Sequence, residues 1–127
     1  MSGSDAQEWI EVASHDIDTV RLLVKEKGHP DIIIYHIHQG IEKLIKAALV
    51  RSEILFEKSH RLDKLLNSAL ISYPEMLSIK DEILEIDYYL PKLRYPAGEK
   101  IEFETALHVY ELFIRIEPFL LKCAYGE

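Results

Sequence analysis

The sequence predicts an all-α fold, an up-and-down bundle of about five helices. Apolar residues recur at helical spacing along most of the 127 residues. Strands are not indicated, because apolar and polar residues do not alternate in short runs between turns. We expect residues 6–124 to form a single domain and residues 1–5 to be a disordered N-terminus or the remnant of a tag.

The first two helices have clear boundary signals. Asp5 and Glu8 have the spacing of a capping box, which predicts the start of the first helix. Gly28 is expected in the left-handed position that ends this helix, and Pro30 in the first turn of the second, which should run over about 31–52. The stripes expected to face the core are Trp9, Val12, Ala13, Ile17, Val20 and Val24, and then Ile34, Ile37, Ile41, Leu44, Ile45 and Ala48.

Three further helices complete the predicted bundle. Ser59 is the expected N-cap of the third helix, and Pro74 breaks its pattern. A fourth helix follows, and an irregular stretch around Pro96 precedes the last helix, which should start near Glu102 and kink or restart at Pro118. The core-facing residues expected here are Leu62, Leu65, Leu66, Ala69 and Leu70, then Ile79, Ile83, Ile86 and Leu90, and finally Phe103, Ala106, Leu107, Tyr110, Phe113 and Ile114.

Charge and hydropathy restrict the class of function. The formal net charge is −7, which argues against a protein that coats nucleic acid through bulk electrostatics. Only the middle of the chain, residues 36–74, is net positive, so a local anion site is expected there. The longest apolar run, residues 32–35, is far shorter than the roughly 20 residues that span a bilayer, and no secretory signal is evident. We therefore expect a cytoplasmic protein that does not associate with membranes.

A polar stripe on the second helix contains the first candidate binding residues. Gln39, Lys43 and Lys46 follow i, i+4, i+7 spacing, so their side chains project from adjacent turns of one face. An amide and two ammonium groups there would suit a phosphate. The alternative is a solvated face on which Glu42 and Lys46 form an ordinary i,i+4 ion pair. His38 and Glu42 also share a face, but no third ligand is indicated, so no metal site is expected.

Two further segments carry side chains that suit anions. His60 lies in the expected first turn of the third helix, where backbone N–H groups attract negative charge, although simple capping is the alternative. Arg94 and Tyr95 precede Pro96; an arginine suits bidentate phosphate contacts and a tyrosine suits stacking on a base. The alternative for Tyr95 is that its ring closes the core.

These segments, in this order, resemble the HEPN family, the higher eukaryotes and prokaryotes nucleotide-binding domain. The family has an early tryptophan, a Gln-x-x-Glu-Lys-x-x-Lys-Ala run, a Thr-His-x-Leu type of N-cap and a later Arg-Tyr-Pro. The matching positions are Trp9, residues 39–47, residues 59–62 and residues 94–96. Three positions depart from the family pattern: Gly40 stands where the family often has alanine, Arg61 where aspartate is common, and Pro118 is unusual in the last helix.

The resemblance implies a helical bundle that pairs as a homodimer and has a polar cleft for a nucleotide or RNA. It also implies a partner, a minimal nucleotidyltransferase encoded nearby, in a toxin–antitoxin-like pair. Many members are metal-independent ribonucleases with an Arg-x4-6-His signature, and no arginine in this chain precedes a histidine at that spacing. We therefore expect a non-catalytic nucleotide- or phosphate-binding module, without a cofactor, that uses Gln39, Lys43, Lys46, His60, Arg94 and Tyr95.

Two alternatives remain open at the level of the sequence. One is a ribonuclease whose arginine and histidine come from separated segments, with Arg94 binding phosphate and His60 or His108 as general base. The other is a subunit that works through interaction alone, neutralising or being modified by a nucleotidyltransferase. Tyrosine-rich segments would serve there as an interface or as acceptor sites: Tyr88, Tyr89 and Tyr95.

Overall fold

A computed structural model describes residues 5–56, 59, 61–93 and 100–127. Within these residues the regular structure is helical, with no strand, which confirms the predicted all-α bundle. The expectations for residues 1–4, His60, Arg94, Tyr95 and Pro96 fall outside the described residues. None of the helices described is long and apolar enough to cross a lipid bilayer. The elements are α1 (Ala6–Lys25), α2 (Pro30–Arg51), α3 (Leu62–Ala69), a 3₁₀ helix (Pro74–Ile79), α4 (Lys80–Tyr88), α5 (Leu90–Leu93) and α6 (Phe103–Ala124).

The start of α1 is as predicted, and its end differs by one residue. Oδ1 of Asp5 accepts the N–H of Glu8 at 2.9 Å, so Asp5 is the N-cap. The left-handed residue is Lys27, with φ 53°, rather than Gly28. The Gly28 N–H donates to the Leu23 carbonyl at 2.7 Å, and a Cβ on Gly28 would lie 2.7 Å from Leu23 Cδ2. The left-handed residue is therefore one position earlier than expected, and Gly28 is required instead for close packing on the last turn of α1.

Helix α2 is the centre of the fold. It packs against α1, α3, α4, α5 and α6, and its six predicted core residues are all buried. The alternative of a solvated polar face holds only in part, because Gln39 and Lys43 are partly exposed whereas His38, Glu42 and Lys46 are buried. A helix surrounded by five others has little free surface, so polar side chains on its second face are enclosed as well.

The region around α3 shows how a distant residue sets a helix start. Ser59 is not the N-cap; Arg61 occupies that position, and Ser59 Oγ accepts the Arg61 N–H at 3.1 Å. The Leu62 N–H, first in the helix, donates to Oδ1 of Asp87 in α4 at 3.1 Å. The four residues predicted to form the inner face of the fourth helix are all buried, although the outermost two belong to the flanking short helices: Ile79, Ile83, Ile86 and Leu90.

Helix α6 continues through Pro118 to Ala124, so the predicted restart does not occur. Its buried face is also rotated from the predicted one, since Ile114 is 48% exposed and Val109 and Leu112 are buried instead. Helix α1 shows a similar difference, with Val12 exposed and Trp9 and Val24 only partly buried. The buried residues of α6 are Ala106, Val109, Leu112, Phe113, Ile116, Leu120, Cys123 and Ala124.

Candidate functional site

The three candidate residues on α2 lie in two different environments. Gln39 and Lys43, four residues apart, are both partly exposed, whereas Lys46 is buried. The structure therefore places two of the three polar groups at an accessible surface and one inside. His60, Arg94 and Tyr95 lie outside the described residues, so their convergence with Gln39 and Lys43 stays a prediction.

A buried carboxylate of α1 lies beside the Gln39–Lys43 face. Asp16 is only 7% exposed, and its two oxygens have different partners on α2. The Lys43 ammonium donates to Oδ2 at 2.6 Å, and His36 Nδ1 lies 2.7 Å from Oδ1. One carboxyl group thus holds an ammonium and an imidazole that originate two turns apart on the helix. Charge-assisted hydrogen bonds of this kind fix the side chains as well as the charges.

Gly40 permits the close packing of α1 on α2 at this level. A Cβ at Gly40 would lie 3.3 Å from Ile17 Cγ1 and 3.9 Å from Asp16 Cβ. The first distance is tighter than an ordinary van der Waals contact, so a larger residue would press α1 away. The absent side chain therefore helps Asp16 reach both His36 and Lys43.

Lys46 is an internal cation. Its ammonium donates to Glu42 at 2.9 Å and lies 5.3 Å from the ring centre of Trp9 and 5.9 Å from that of Phe56. The two rings meet edge to face, with centroids 6.5 Å apart. The expected i,i+4 pair with Glu42 is present, but it is buried rather than solvated. Burial makes the ammonium of Lys46 depend on its contacts, because an enclosed charge is costly unless it is paired.

A second carboxylate–histidine pair, of which the histidine is buried, lies on the α3–α4 side of α2. His38 is fully buried, and its Nε2 is 3.0 Å from Oδ1 of Asp87. Burial acts to raise the pKa of Asp87, but the hydrogen bonds and charge of His38, together with the backbone N–H of Leu62, outweigh it and lower the pKa below 3.8. Asp87 already accepts the first N–H of α3. The sequence had suggested that an anion binds at this helix start.

Metal ligands are not assembled in the described part of the chain. Across residues 5–56, 59, 61–93 and 100–127, no three His, Cys, Asp or Glu side chains are grouped as a metal site requires. His38 and Glu42, which have ligand spacing, are each bound to other side chains.

Two cavities of the described residues lie away from the polar stripe of α2. One of about 500 Å³ opens between the end of α2 and α3. Another of about 170 Å³ lies between α1, α2 and α6. It is beside the ion pair in which Arg21 donates to both carboxylate oxygens of Glu117. Neither is lined by Gln39, Lys43 or Lys46. The larger one is lined by Leu55, Phe56, Ser59, Lys64, Leu65, Asn67 and Ser68.

Sequence reasoning missed Asp16 and His36 as parts of this site. Asp16 follows Ala13 by three residues and precedes Val20 by four, so it falls within the buried stripe of α1. A carboxylate at a core position is a signal of a buried partner, because a charge is rarely enclosed unless it is paired. That signal was present in the sequence.

Comparison with known proteins identifies the family. The family model for the HEPN domain matches residues 6–120. A curated relative, "Putative toxin MJ1304" of Methanocaldococcus jannaschii, is 27% identical over 88 residues, which cover 69% of this chain and 55% of the relative. The chain thus spans about half the length of that relative. No solved structure matches the chain significantly. On the extent of the family match, the chain belongs to the HEPN domain family.

Proposed function

We propose that this HEPN protein is a nucleotide- or phosphate-binding module and is not itself a catalyst. The observation that carries the proposal is the accessible face of α2, where Gln39 and the Lys43 ammonium lie within the net-positive segment of an acidic chain. In this proposal Lys46 supports the face from inside, and His60, Arg94 and Tyr95 complete the site from the neighbouring segments.

The ion pair between Lys43 and Asp16 sets the character of the proposed binding. A bound phosphate has to share the Lys43 ammonium with the Asp16 carboxylate, which lies 2.6 Å away. The carboxylate offsets part of the positive charge and so weakens the attraction for the phosphate. The amide of Gln39 brings no charge. We therefore expect weak binding that falls with added salt, because an exposed cation is screened.

The proposed biological setting is a toxin–antitoxin-like pair. It is supported by the archaeal relative, which is named a toxin, and by the family resemblance, which implies a minimal nucleotidyltransferase partner and a homodimer. In this setting the HEPN protein forms the dimer, and the nucleotidyltransferase binds it.

Calorimetric titration with ATP, ADP, AMP and inorganic phosphate tests the binding proposal. We expect saturable heat with at least one nucleotide and weaker heat with phosphate alone. Absence of binding at millimolar ligand contradicts the proposal. Co-expression with the product of the neighbouring gene, followed by gel filtration, tests the pair and the dimer; elution as separate monomers contradicts both.

A ribonuclease is the second candidate, favoured by one contact. His108 of α6 is half exposed and its Nε2 is hydrogen-bonded to Glu85 of α4, a carboxylate that can orient the ring. With Arg94 binding the phosphate, this histidine would be the general base. Incubation with structured and single-stranded RNA tests it, with His108→Gln as the variant and His15→Gln as the matched control. Cleavage that His108→Gln leaves unchanged excludes this assignment.

A further inference from the structure

Two histidines of α2, two residues apart, bind carboxylates through opposite ring nitrogens. His38 uses Nε2, and its Nδ1 is buried without a hydrogen-bond partner. His36 uses Nδ1 towards Asp16. The His36 side chain is 27% exposed, and its Nε2 is not buried. The free nitrogen of His36 therefore faces solvent, whereas that of His38 is enclosed.

The contact with Asp16 fixes the proton on the His36 ring. An ionised carboxylate only accepts hydrogen bonds, so Nδ1 must carry the proton that it donates. In the neutral ring the lone pair then lies on Nε2, the solvent-facing nitrogen. The Lys43 ammonium forms an ion pair with the other oxygen of the same carboxylate. The arrangement is that of an oriented nucleophile or base.

The surroundings of His36 suit an anion. Gln39 lies three residues further along α2, so its amide is on the adjacent turn of the same face. The Lys43 ammonium reaches the carboxyl group that also holds His36. The Tyr35 ring contacts the His36 ring edge to face at 5.3 Å and limits its rotation. The His36 ring is thus held in one orientation beside a cation and a hydrogen-bond donor.

We propose that Nε2 of His36 is a phosphoryl acceptor, modified by small donors that carry phosphorus on nitrogen, such as phosphoramidate. The Nε2 lone pair forms the new N–P bond and the P–N bond of the donor breaks. The donor nitrogen is already protonated in zwitterionic phosphoramidate, so it leaves with the bonding electrons as neutral ammonia. Nδ1 keeps its proton, so the ring gains positive charge, which the carboxylate of Asp16 stabilises. Lys43 holds Asp16 in place through its other oxygen. The inference rests on the proposed anion-binding role of this face of α2.

Incubation of the full chain with phosphoramidate, followed by peptide mass mapping, tests the proposal. We expect the mass of one phosphoryl group on His36, lost in mild acid, and no such product in His36→Gln. His108 is the matched control within the same molecule, because it is more exposed and also paired with a carboxylate. Modification of His108 as fast as His36, or no modification of His36, overturns the proposal.

Asp16 is a positioning residue, and its role has a separate readout. In Asp16→Asn the amide can donate to Nδ1, which would move the ring proton to Nε2 and slow modification by about tenfold or more. Nitrogen NMR of the unmodified wild-type protein at mildly alkaline pH should show the His36 proton on Nδ1. A proton on Nε2 overturns the proposal even if Asp16→Asn does not fold. Nucleotide titration is independent of this reaction, so failure of the binding proposal and failure of the acceptor proposal are distinguishable.

Discussion

Nε2 of His38 lies 3.0 Å from Oδ1 of Asp87, and the same oxygen accepts the Leu62 N–H at 3.1 Å. One carboxyl group of α4 therefore joins the fully buried centre of α2 to the start of α3. No local side chain caps the N-terminus of α3. Asp87, from a distant segment, supplies the acceptor oxygen that an N-cap side chain commonly provides.

Replacing Asp87 should therefore loosen α3 from the bundle. Asp87→Ala leaves the His38 ring and the Leu62 N–H without their partner, and we expect the free energy of unfolding to fall by about 2 kcal/mol. Urea unfolding followed by circular dichroism measures it. Asp81→Ala, on the exposed side of the same helix, is the control and should change stability by less than about 0.5 kcal/mol. Equal effects of the two variants would contradict this role.

The same contact predicts a dependence of stability on acid pH. The folded-state pKa of Asp87 is below its usual 3.8, so its contribution is complete above that value and is lost as pH falls through the lowered pKa. Wild-type protein should lose more stability than Asp87→Ala when the pH is lowered through this range. Unfolding curves at a series of acid pH values measure the difference, and parallel losses in the two proteins would refute it.

Lys46 should be required for stability as well as for the environment of Trp9. Lys46→Met removes a buried ammonium that donates to Glu42 and lies near two aromatic rings, and we expect a loss of about 3 kcal/mol. Since Trp9 is the single tryptophan and lies 5.3 Å from the ammonium, its fluorescence emission should change in the folded variant. Lys25→Met, an exposed lysine at the end of α1, is the control and should leave the emission unaltered. An unaltered emission in Lys46→Met would show that the ammonium does not lie over the ring.

Cys123 should be unreactive in the folded protein. It is buried in α6, and desolvation, with the charge of Glu75 as a smaller cause, raises the pKa of its thiol to about 11. The thiolate is the reactive form, so little of it exists at pH 8. Labelling with a thiol reagent should be slow in buffer and rapid in denaturant. Fast labelling of the native protein would contradict the packing of α6.

The elements that the sequence predicted well are those with one apolar face. The stripe of α2 from Ile34 to Ala48 was identified correctly because isoleucine and leucine recur there at helical spacing. In α6 the prediction favoured Ile114 over Leu112 because apolar residues occur on several sides of that helix. The contacts with α2, α4 and α1 decide which face is buried. The start of α3 depends on Asp87, which no local pattern reveals.

The candidate site was predicted only in part, for a related reason. The spacing of Gln39 and Lys43 placed them correctly on one face of α2. Whether a lysine on that helix is accessible depends on its neighbours, and Lys46 is enclosed by Trp9 and Phe56. Asp16 acts across a helix interface, so its partners could be recognised only once α1 and α2 were placed side by side.

Nucleotide titration of the wild-type protein and of Lys43 variants tests the central claim most directly. Lys43→Ala should weaken ATP binding by about tenfold or more, because it removes a charge-assisted contact, while Lys43→Arg should retain it. Lys25→Ala is the control and should bind as the wild type does. Thermal unfolding verifies that each variant is folded. Binding by the wild type that depends on Lys43 is the predicted result; no binding at millimolar ATP, or equal binding by folded Lys43→Ala, would contradict the account.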